Sequence, residues 1–261
     1  MLIRILTVLL VALPALASTN WKLTWSDEFN GAKHMPPDAA KWTYDLGDGG
    51  WGNHELEIYT KKAENVSQDG EGRLAIRAIK IGSGTYTSAR IKTQGKFTVH
   101  YGKIAARMKI PRGQGMWPAF WMLGADIKST DWPACGEIDV MENIGKEPSI
   151  VHGTIHGPGY SGSKGIGHQY ALPDEAPLSH DFHIYAVEWS PAAITFLLDD
   201  KPYFTVAPDD VPADAHWVYS HPFFLLLNLA VGGNWPGNPD SSTHFPQVLL
   251  VDWVRVWQKP E

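Results

Sequence analysis

Three carboxylates lie within six residues of one segment, in the run Cys-Gly-Glu137-Ile-Asp139-Val-Met-Glu142-Asn. The residues between them are apolar and favour a buried strand. On a strand, Glu137 and Asp139 point to the same face, because side chains alternate with a period of two. Strict alternation would place position 141 next on that face, whereas one extra residue in a β-bulge would place Glu142 there. The spacing therefore predicts three acids on one face, with a bulge between the second and the third.

Crowded carboxylates of this kind have a defined chemical use. Like charges at short range cannot all ionise at low cost, so one carboxyl group should keep its proton near neutral pH. A protonated acid beside an ionised carboxylate is what retaining glycoside hydrolysis requires, since one group attacks the anomeric carbon while the other protonates the leaving oxygen. A solvated acidic strand face and a Ca²⁺ site use the same residue types. The spacing alone leaves all three interpretations open.

The elements that would position these acids are short strands. Strand-like runs recur between Gly, Pro, Asp and Ser residues, and no long window keeps the apolar period of an amphipathic helix. Examples of such runs are residues 74–80, 102–110, 116–123, 137–143, 150–156, 182–189, 194–198, 223–231 and 248–257. Many short strands predict an all-β fold, a two-sheet antiparallel β-sandwich, although a closed barrel satisfies the same pattern.

Composition narrows the function classes. The chain of 261 residues is 44% hydrophobic and 19% charged, which suits a large core and excludes a disordered polymer. Its net charge of −6 without basic runs argues against nucleic acid as a partner. The single cysteine, Cys135, excludes a disulfide framework and a thiolate zinc cluster. Twelve tryptophans are enough to supply both a core and a surface that stacks on sugar rings.

The amino terminus predicts export. Residues 1–17 combine Arg4, an apolar stretch and the small-residue site Ala15-Leu16-Ala17, as a secretory signal peptide does. A retained membrane anchor is the alternative, but the apolar stretch is short for a bilayer. We therefore expect residues 18–261 to form a single domain, secreted to the extracellular space or the periplasm. A monomer with no membrane contact after signal cleavage is expected.

The acidic segment resembles the active-site strand of glycoside hydrolase family 16, in the bulged form E-x-D-x-x-E of its laminarinase-like members. Further resemblances follow in order along the chain, at residues 25–30 (WSDEFN), 51–60 (WGNHELEIYT), 87–91 (TSARI), 115–123 (GMWPAFWML), 152–157 (HGTIHG), 228–237 (NLAVGGNWPG) and 251–256 (VDWVRV). The resemblance implies that residues 18–261 are a catalytic domain with a concanavalin A-like jelly roll. A glucan-binding cleft would cross its concave face.

The resemblance also implies roles for the three acids. Glu137 would be the nucleophile, Glu142 the general acid/base, and Asp139 a hydrogen-bonding residue between them. The implied activity is endo-hydrolysis of internal β-1,3-glucosidic bonds of laminarin-like β-glucans, with the polysaccharide as partner and no cofactor for catalysis. Two alternatives stay open at this point, a lichenase-type β-1,3-1,4-glucanase and a non-catalytic glucan-recognition protein. Relatives of the second kind typically lack the catalytic glutamates.

Sugar-contacting positions follow from the same resemblance, which leaves His152 unassigned. Trp117 and Trp121 are four residues apart on a predicted strand and so share one face, for which a sugar-stacking wall and a core row are both possible. Two further tryptophans, Trp253 and Trp257, are expected in the core. The chain departs from the family pattern at Glu57, where many relatives carry Gln. The residues expected to bind substrate are Asn53, Arg90, Trp117, Trp121, Trp132, His156 and Trp235.

Members of the family often carry a structural Ca²⁺ ion on the convex side. The matching positions here are Glu28 and Gly72, through main-chain oxygens, and Asp252, through its carboxylate. Mixed backbone and side-chain oxygens are the ligands that Ca²⁺ accepts. The resemblance thus implies a metal site that has no part in the chemistry.

Overall fold

The computed structural model describes residues 20–260, so the predicted signal peptide lies outside the described residues and stays a prediction. No helix within that range has the length and apolar character needed to cross a bilayer. Three short 3₁₀ helices occupy Gly50–Gly52, Gly162–Lys164 and Pro208–Asp210. The strands are β1 (Lys22–Asp27), β2 (Thr43–Asp45), β3 (Glu57–Tyr59), β4 (Val66–Gln68), β5 (Leu74–Gly82), β6 (Thr85–Ser88), β7 (Arg90–Lys92), β8 (Gly102–Lys109), β9 (Met116–Gly124), β10 (Glu137–Glu142), β11 (Ile150–His156), β12 (Ile166–Ala171), β13 (His183–Trp189), β14 (Ile194–Leu198), β15 (Lys201–Val206), β16 (Phe223–Val231) and β17 (Gln247–Gln258).

These strands form two sheets. The first, here called the cleft sheet, has seven strands in the order β12-β11-β10-β9-β16-β7-β2. The second, the outer sheet, has ten strands in the order β15-β14-β13-β8-β17-β5-β6-β3, with β1 beside β17 and β4 beside β5. Neighbouring strands are antiparallel except for β3 and β6, which pair in parallel. The predicted two-sheet sandwich is confirmed, and two separate sheets exclude the closed barrel.

The core lies between the two sheets. Phe120 and Met122 of β9 are fully buried, as are Val254 and Val256 of β17, and all four belong to one continuous apolar cluster. On β9, Trp117 and Trp121 alternate with these residues and stay partly exposed. The prediction that Trp117 and Trp121 share one face of this strand is therefore confirmed.

The prediction that Trp253 and Trp257 belong to this core is wrong. Both rings lie on the opposite face of the outer sheet, where they pack against a separate small cluster. The reason is a register shift in β17 between Val251 and Trp253, which reverses the phase of the alternation. Residues 253 and 257 therefore face outwards, while the valines between them face the core.

Candidate active site

A cleft of about 1260 Å³ crosses the outward face of the cleft sheet. Strand β10 lies near its middle, with β9, β16 and β7 on one side and β11 and β12 on the other. All three predicted acids and all seven predicted sugar-contacting residues line it: Glu137, Asp139, Glu142, Asn53, Arg90, Trp117, Trp121, Trp132, His156 and Trp235. The choice left open for Trp121 is thus resolved in favour of the cleft.

The predicted bulge is present in β10. Asp139 pairs with Thr154 of β11, and Glu142 pairs with His152, so β10 advances three residues while β11 advances two. The pairing of β10 with β9 shows the same shift. The extra residue restores Glu142 to the face of the other two acids, and the intervening Val140 and Met141 are both buried.

An indole N–H holds each of the two outer carboxylates. Trp132 Nε1 donates to Glu137 Oε2 at 2.8 Å, and Trp117 Nε1 donates to Glu142 Oε1 at 2.9 Å. Each carboxylate keeps its other oxygen for chemistry. The Trp132 ring is 45% exposed, an unusual value for so large an apolar group, and its outer face is open to a ligand. Trp235 packs edge-on against Trp117, with ring centroids 5.5 Å apart.

Asp139 lies between the outer acids and is the most deeply buried of the three, at 3% exposure. His156, which stands opposite Glu137 on β11, brings Nε2 to 3.1 Å from Asp139 Oδ2 and 3.9 Å from Glu137 Oε1. The hydroxyl of Tyr219 donates to the main-chain oxygen of His156 at 2.8 Å, which fixes this part of β11. The structure therefore places His156 against Glu137 and Asp139, and its predicted contact with the substrate stays a prediction.

Burial dominates the protonation of the three acids. Burial and the charge of Asp139 hold the pKa of Glu137 well above its usual range. Burial and the charge of Glu142 do the same for the pKa of Asp139. Burial raises the pKa of Glu142 to about 7, against the opposing effect of the Trp117 hydrogen bond. The cluster therefore retains protons near neutral pH, as general acid catalysis requires.

The same cluster could in principle hold a cation. Donor atoms of Glu137, Asp139 and His156 lie within 4.8 Å of one another. Ca²⁺ takes six to eight oxygen ligands, whereas this group offers two carboxylates and one imidazole. The Trp132 N–H that points at Glu137 is also a poor neighbour for a cation. Acid/base chemistry fits these residues better than the Ca²⁺ site and the solvated face that their spacing had left open.

Arg90 lies in the arm of the cleft formed by β7, β16 and β9. Its Nε is 2.9 Å from Asp45 Oδ2, and its guanidinium lies 4.7 Å from the Trp121 ring centroid and 5.1 Å from that of Trp51. An ion pair and two aromatic faces thus fix the side chain, so its remaining N–H groups are preorganised for a ligand.

Several cleft residues were not singled out from the sequence. Trp121 Nε1 donates to Asn228 Oδ1 at 2.7 Å, and both residues line the cleft. Trp51, Glu55 and Asn228 lie within the segments that carry the family resemblance, so a signal for them existed. On the other arm the lining includes Thr154, which lies in the resembling segment 152–157. It also includes residues between 162 and 169, for which the sequence offered no motif.

His152, left unassigned above, lies in the cleft. Its Nε2 is 3.0 Å from Glu147 Oε2, and its ring meets that of Trp235 edge-on at 4.9 Å between centroids. Burial lowers the pKa of His152 despite the neighbouring carboxylate. This residue therefore supports Trp235 and lies opposite Glu142, at the other end of β10 from Glu137.

Glu57 behaves as a neutral acid buried under the cleft. It is 1% exposed, and its Oε2 accepts the main-chain N–H of Val231 at 2.7 Å. Burial, with the charge of Glu55, raises the pKa of Glu57 to about 9. A protonated glutamic acid has nearly the shape and hydrogen-bonding capacity of glutamine. This explains how Glu57 can occupy a position at which many relatives carry Gln.

We expect Glu57→Gln to fold and to become the more stable protein as pH rises. From the ordinary glutamate pKa of 4.5 up to about 9, the unfolded chain releases a proton that the folded protein keeps. The free energy of unfolding of the parent should therefore fall across this range, by up to about 1.4 kcal/mol per pH unit, and Gln removes that slope. Thermal melts from pH 5 to pH 9 measure the difference. The exposed control Glu64→Gln should show no such trend, and a constant gap for Glu57→Gln would contradict a protonated Glu57.

The residues assigned to Ca²⁺ lie on the outer sheet, away from the cleft. Strands β1 and β5 follow one another along the same edge of β17, with Asp27 opposite Val254 and Leu74 opposite Val251. The end of β1 therefore meets the start of β5 at about residue 252 of β17. This register brings Glu28, Gly72 and Asp252 to one junction.

The side chains at this junction have arginine partners. Arg255 binds both carboxylate oxygens of Glu28, at 3.0 and 2.7 Å, and Arg107 binds Asp252 Oδ2 at 2.7 Å. The Glu28 carboxylate is thus engaged, which fits the expectation that Glu28 would bind through its main-chain oxygen. Asp252 retains one carboxylate oxygen. A Ca²⁺ ion fits here only if main-chain oxygens supply most of its ligands.

Comparison with known proteins places the chain among enzymes of one family. A family model described as glycosyl hydrolases family 16 matches residues 53–255. A beta-glucanase of Rhodothermus marinus is 41% identical over 249 residues, covering 92% of this chain and 86% of that protein. The laminarinase catalytic domain of Thermotoga maritima superposes with a TM-score of 0.86 at 44% identity, over 92% of this chain and 99% of that one. The endo-beta-1,3-glucanase of Pyrococcus furiosus gives a TM-score of 0.87 at 45% identity, over 92% and 95% of the two chains.

Proposed function

Because this chain belongs to glycosyl hydrolase family 16, we propose that it is an exported, retaining endo-β-1,3-glucanase that cleaves laminarin-like glucans. The observation that supports this most directly is the arrangement of Glu137 and Glu142. Each is held by an indole N–H, and the two flank the buried Asp139 on one face of a bulged strand. The laminarinase and the endo-β-1,3-glucanase named above share this fold over almost their whole length.

In the first step Glu137 attacks the anomeric carbon. Of the two neighbouring acids, Glu137 is better able to carry negative charge, because Trp132 donates to it and because Asp139 is more deeply buried. Asp139 therefore keeps its proton and stabilises the Glu137 carboxylate. Glu142 donates its proton to the leaving oxygen as the glycosidic bond breaks, and a glycosyl-enzyme with inverted configuration forms.

In the second step the roles change. Glu142, now ionised, takes a proton from water, and the oxygen of that water displaces Glu137 from the anomeric carbon. Two inversions restore the β configuration of the substrate. The proton count balances, because Glu142 regains from water the proton that it lost to the leaving group.

The lining of the cleft favours a neutral polymer. Trp132, Trp117 and Trp235 offer ring surface to the apolar faces of sugars. Arg90 and Lys92 both pair with Asp45, so this arm has little cationic charge left for a sulfated substrate. Strands β7 and β12 lie at opposite arms of the cleft, and a chain can therefore extend on both sides of the acids, as endo cleavage requires.

Product analysis tests this function. We expect the purified protein to release short β-1,3-oligosaccharides rapidly from laminarin, with newly formed reducing ends first appearing as the β anomer in proton NMR. Parallel incubations would contain barley mixed-linkage glucan and a sulfated galactan. Cleavage of the mixed-linkage polymer alone would overturn the β-1,3 assignment in favour of the lichenase-type alternative. Binding of glucan without any cleavage would indicate a recognition protein.

A structural Ca²⁺ ion at the junction of β1, β5 and β17 is a further part of this proposal. Main-chain oxygens of Glu28 and Gly72 would hold it with the Asp252 carboxylate. An ion at 100 times its dissociation constant stabilises a fold by about 2.7 kcal/mol, which corresponds to roughly 5 to 10 °C in Tm for a chain of this size. We expect that increase when Ca²⁺ is added to EDTA-treated protein, and its loss in Asp252→Asn. Equal melting temperatures with EDTA and with Ca²⁺ would contradict the site.

A further inference from the structure

The exposed face of the outer sheet is apolar at one place. An antiparallel sheet with one solvated face normally alternates apolar residues inwards with polar residues outwards. Ala105, Ala186 and Leu197 break this rule, because they form a buried cluster on the outward face, separate from the main core. Trp253 and Trp257 pack against this cluster and remain partly exposed. The feature lies on the side of the sandwich opposite to the catalytic cleft.

A groove of about 390 Å³ lies over this cluster, with Ala105 and Ile184 in its floor. Its walls include Trp21, Trp253 and Trp257. The last two rings stand at 88° to each other with centroids 6.2 Å apart, so they form two sides of a corner. Leu23, which pairs with Trp257 across β1 and β17, is 48% exposed and extends the apolar surface beyond the groove.

The charged side chains that line the groove are already paired. Lys103 Nζ lies 2.8 Å from Asp200 and 3.8 Å from Glu188, while the Arg255 guanidinium binds Glu28 and lies 4.3 Å from the Trp253 ring centroid. Lys259 also reaches the rim of the groove, where its Nζ lies 5.0 Å from the Trp21 ring centroid. A single ammonium group over a ring does not make the cationic cluster that binding of phosphate or sulfate requires. The groove does offer N–H donors and carboxylate acceptors next to aromatic faces. A neutral ligand that is rich in hydroxyl groups and has apolar ring faces matches this combination.

We propose that this outer groove is a second binding site for a neutral polysaccharide, distinct from the catalytic cleft. That the polysaccharide is a β-1,3-glucan rests on the proposed function. The groove and the cleft lie on opposite faces of the protein. The glucan segment bound in the groove is therefore not the segment that is cleaved at the acids. The site would keep the enzyme on an insoluble or multi-chain substrate between cleavage events, through effective concentration.

Retention on insoluble linear β-1,3-glucan tests the proposal. The assay uses the Glu137→Gln protein, which should not degrade the polymer, with and without Trp253→Ala and Trp257→Ala together. We expect removal of both rings to weaken retention by about ten-fold, from the stacking energy of two aromatic groups. In the catalytically intact protein the same double substitution should leave the turnover of soluble laminaripentaose unchanged within about two-fold. Ile81→Ala, which removes another exposed apolar side chain of the outer sheet, is the matched control and should have no effect.

Single substitutions at Trp257 and a titration with a soluble oligosaccharide test the groove independently of the double variant. If the double variant does not fold, Trp257→Phe, which keeps an aromatic ring, is compared with Trp257→Leu, which does not, and only the second should lose retention. Titration of the Glu137→Gln protein with laminarihexaose should show two binding sites for the oligosaccharide. The same protein with Trp257→Leu added should show one.

The outcomes separate this inference from the proposed function. Normal cleavage of soluble oligosaccharides together with equal retention of parent and variants would overturn the groove and leave the enzyme assignment standing. A concentration-dependent dimer in the parent, absent from the variant in sedimentation, would show that a second copy of the chain occupies the groove and would also overturn it. Failure of the parent to bind or cleave any β-glucan would overturn the proposed function itself.

Discussion

Replacing Glu137 with alanine should reduce kcat on laminarin by on the order of 10⁴-fold or more, while oligosaccharide binding persists. The loss should be large because no other carboxylate can take the place of Glu137. Asp139 is shorter and buried, and Glu142 is held by Trp117 at the other side of the bulge. Calorimetric titration with laminaritetraose checks that binding survives. Undiminished hydrolysis by this variant would end the proposed mechanism.

Rescue by azide makes the test specific to the role of Glu137. Removal of the carboxylate leaves a small space next to the anomeric carbon, which an azide ion can enter. Azide should then restore turnover of a substrate with a good leaving group, and the product should be the α-glycosyl azide because only one inversion occurs. A β-glycosyl azide would assign Glu137 the acid/base role instead.

The second large effect is expected at Glu142. Glu142→Gln should lower kcat on laminarin by about 10²- to 10⁴-fold, the range usual for general acid/base groups. A dinitrophenyl laminaribioside needs no proton for departure of its leaving group, so its first step should be nearly unaffected and the glycosyl-enzyme should accumulate. Azide should speed the second step and yield the β-glycosyl azide, the opposite anomer to that from Glu137→Ala. Equal losses on the natural and the activated substrate would contradict the assignment.

The pH profile supplies an independent reading of Glu142. Its pKa of about 7 means that the acid form disappears as pH rises through neutrality. In the parent, kcat/KM should therefore decline on the alkaline side near pH 7. The Trp117 hydrogen bond lowers the pKa of Glu142, so Trp117→Phe should move this decline to higher pH. In Glu142→Gln the alkaline decline should be absent, and its persistence there would assign it to another group.

The strands that the sequence predicts correctly are those with a clear apolar period. The nine predicted runs correspond to β5, β8, β9, β10, β11, β13, β14, β16 and β17, with ends that agree within two residues. The missed strands fall into two groups. Strands β2, β3, β4 and β7 contain three residues each and β6 contains four, too few to show a period. Strands β1, β12 and β15 contain six residues each, but each mixes polar, Gly or Pro residues with its apolar ones. These strands form because of the strands beside them in the fold, and their own local sequence does not indicate the pairing.

The candidate site was more predictable than the outer face. The three acids were predictable because their spacing, taken together with the flanking segments that resemble one family, favours catalysis over a solvated face or a Ca²⁺ site. Trp253 and Trp257 were misplaced because a large aromatic residue next to a valine resembles a core residue, and a register shift in β17 leaves no mark in composition. The supporting contacts, such as Trp132 with Glu137, could not be foreseen for a related reason. Trp132 lies in the turn before β10 and Glu137 is the first residue of β10, so the geometry of this contact depends on how the turn folds.

The bulge in β10 also affects which sequence changes this strand can inherit. Gain or loss of one residue in a regular strand moves its buried side chains to the solvent face and its polar side chains into the core. Selection normally removes such a change. In β10 the bulge already contains one residue more than the paired strand, because Val140 and Met141 are adjacent and both buried. A single-residue deletion there would leave all three acids on the cleft side and change only the reach between them. A one-residue deletion at this point of the gene is therefore compatible with a working sheet, whereas an insertion of one residue would turn Glu142 away from the cleft.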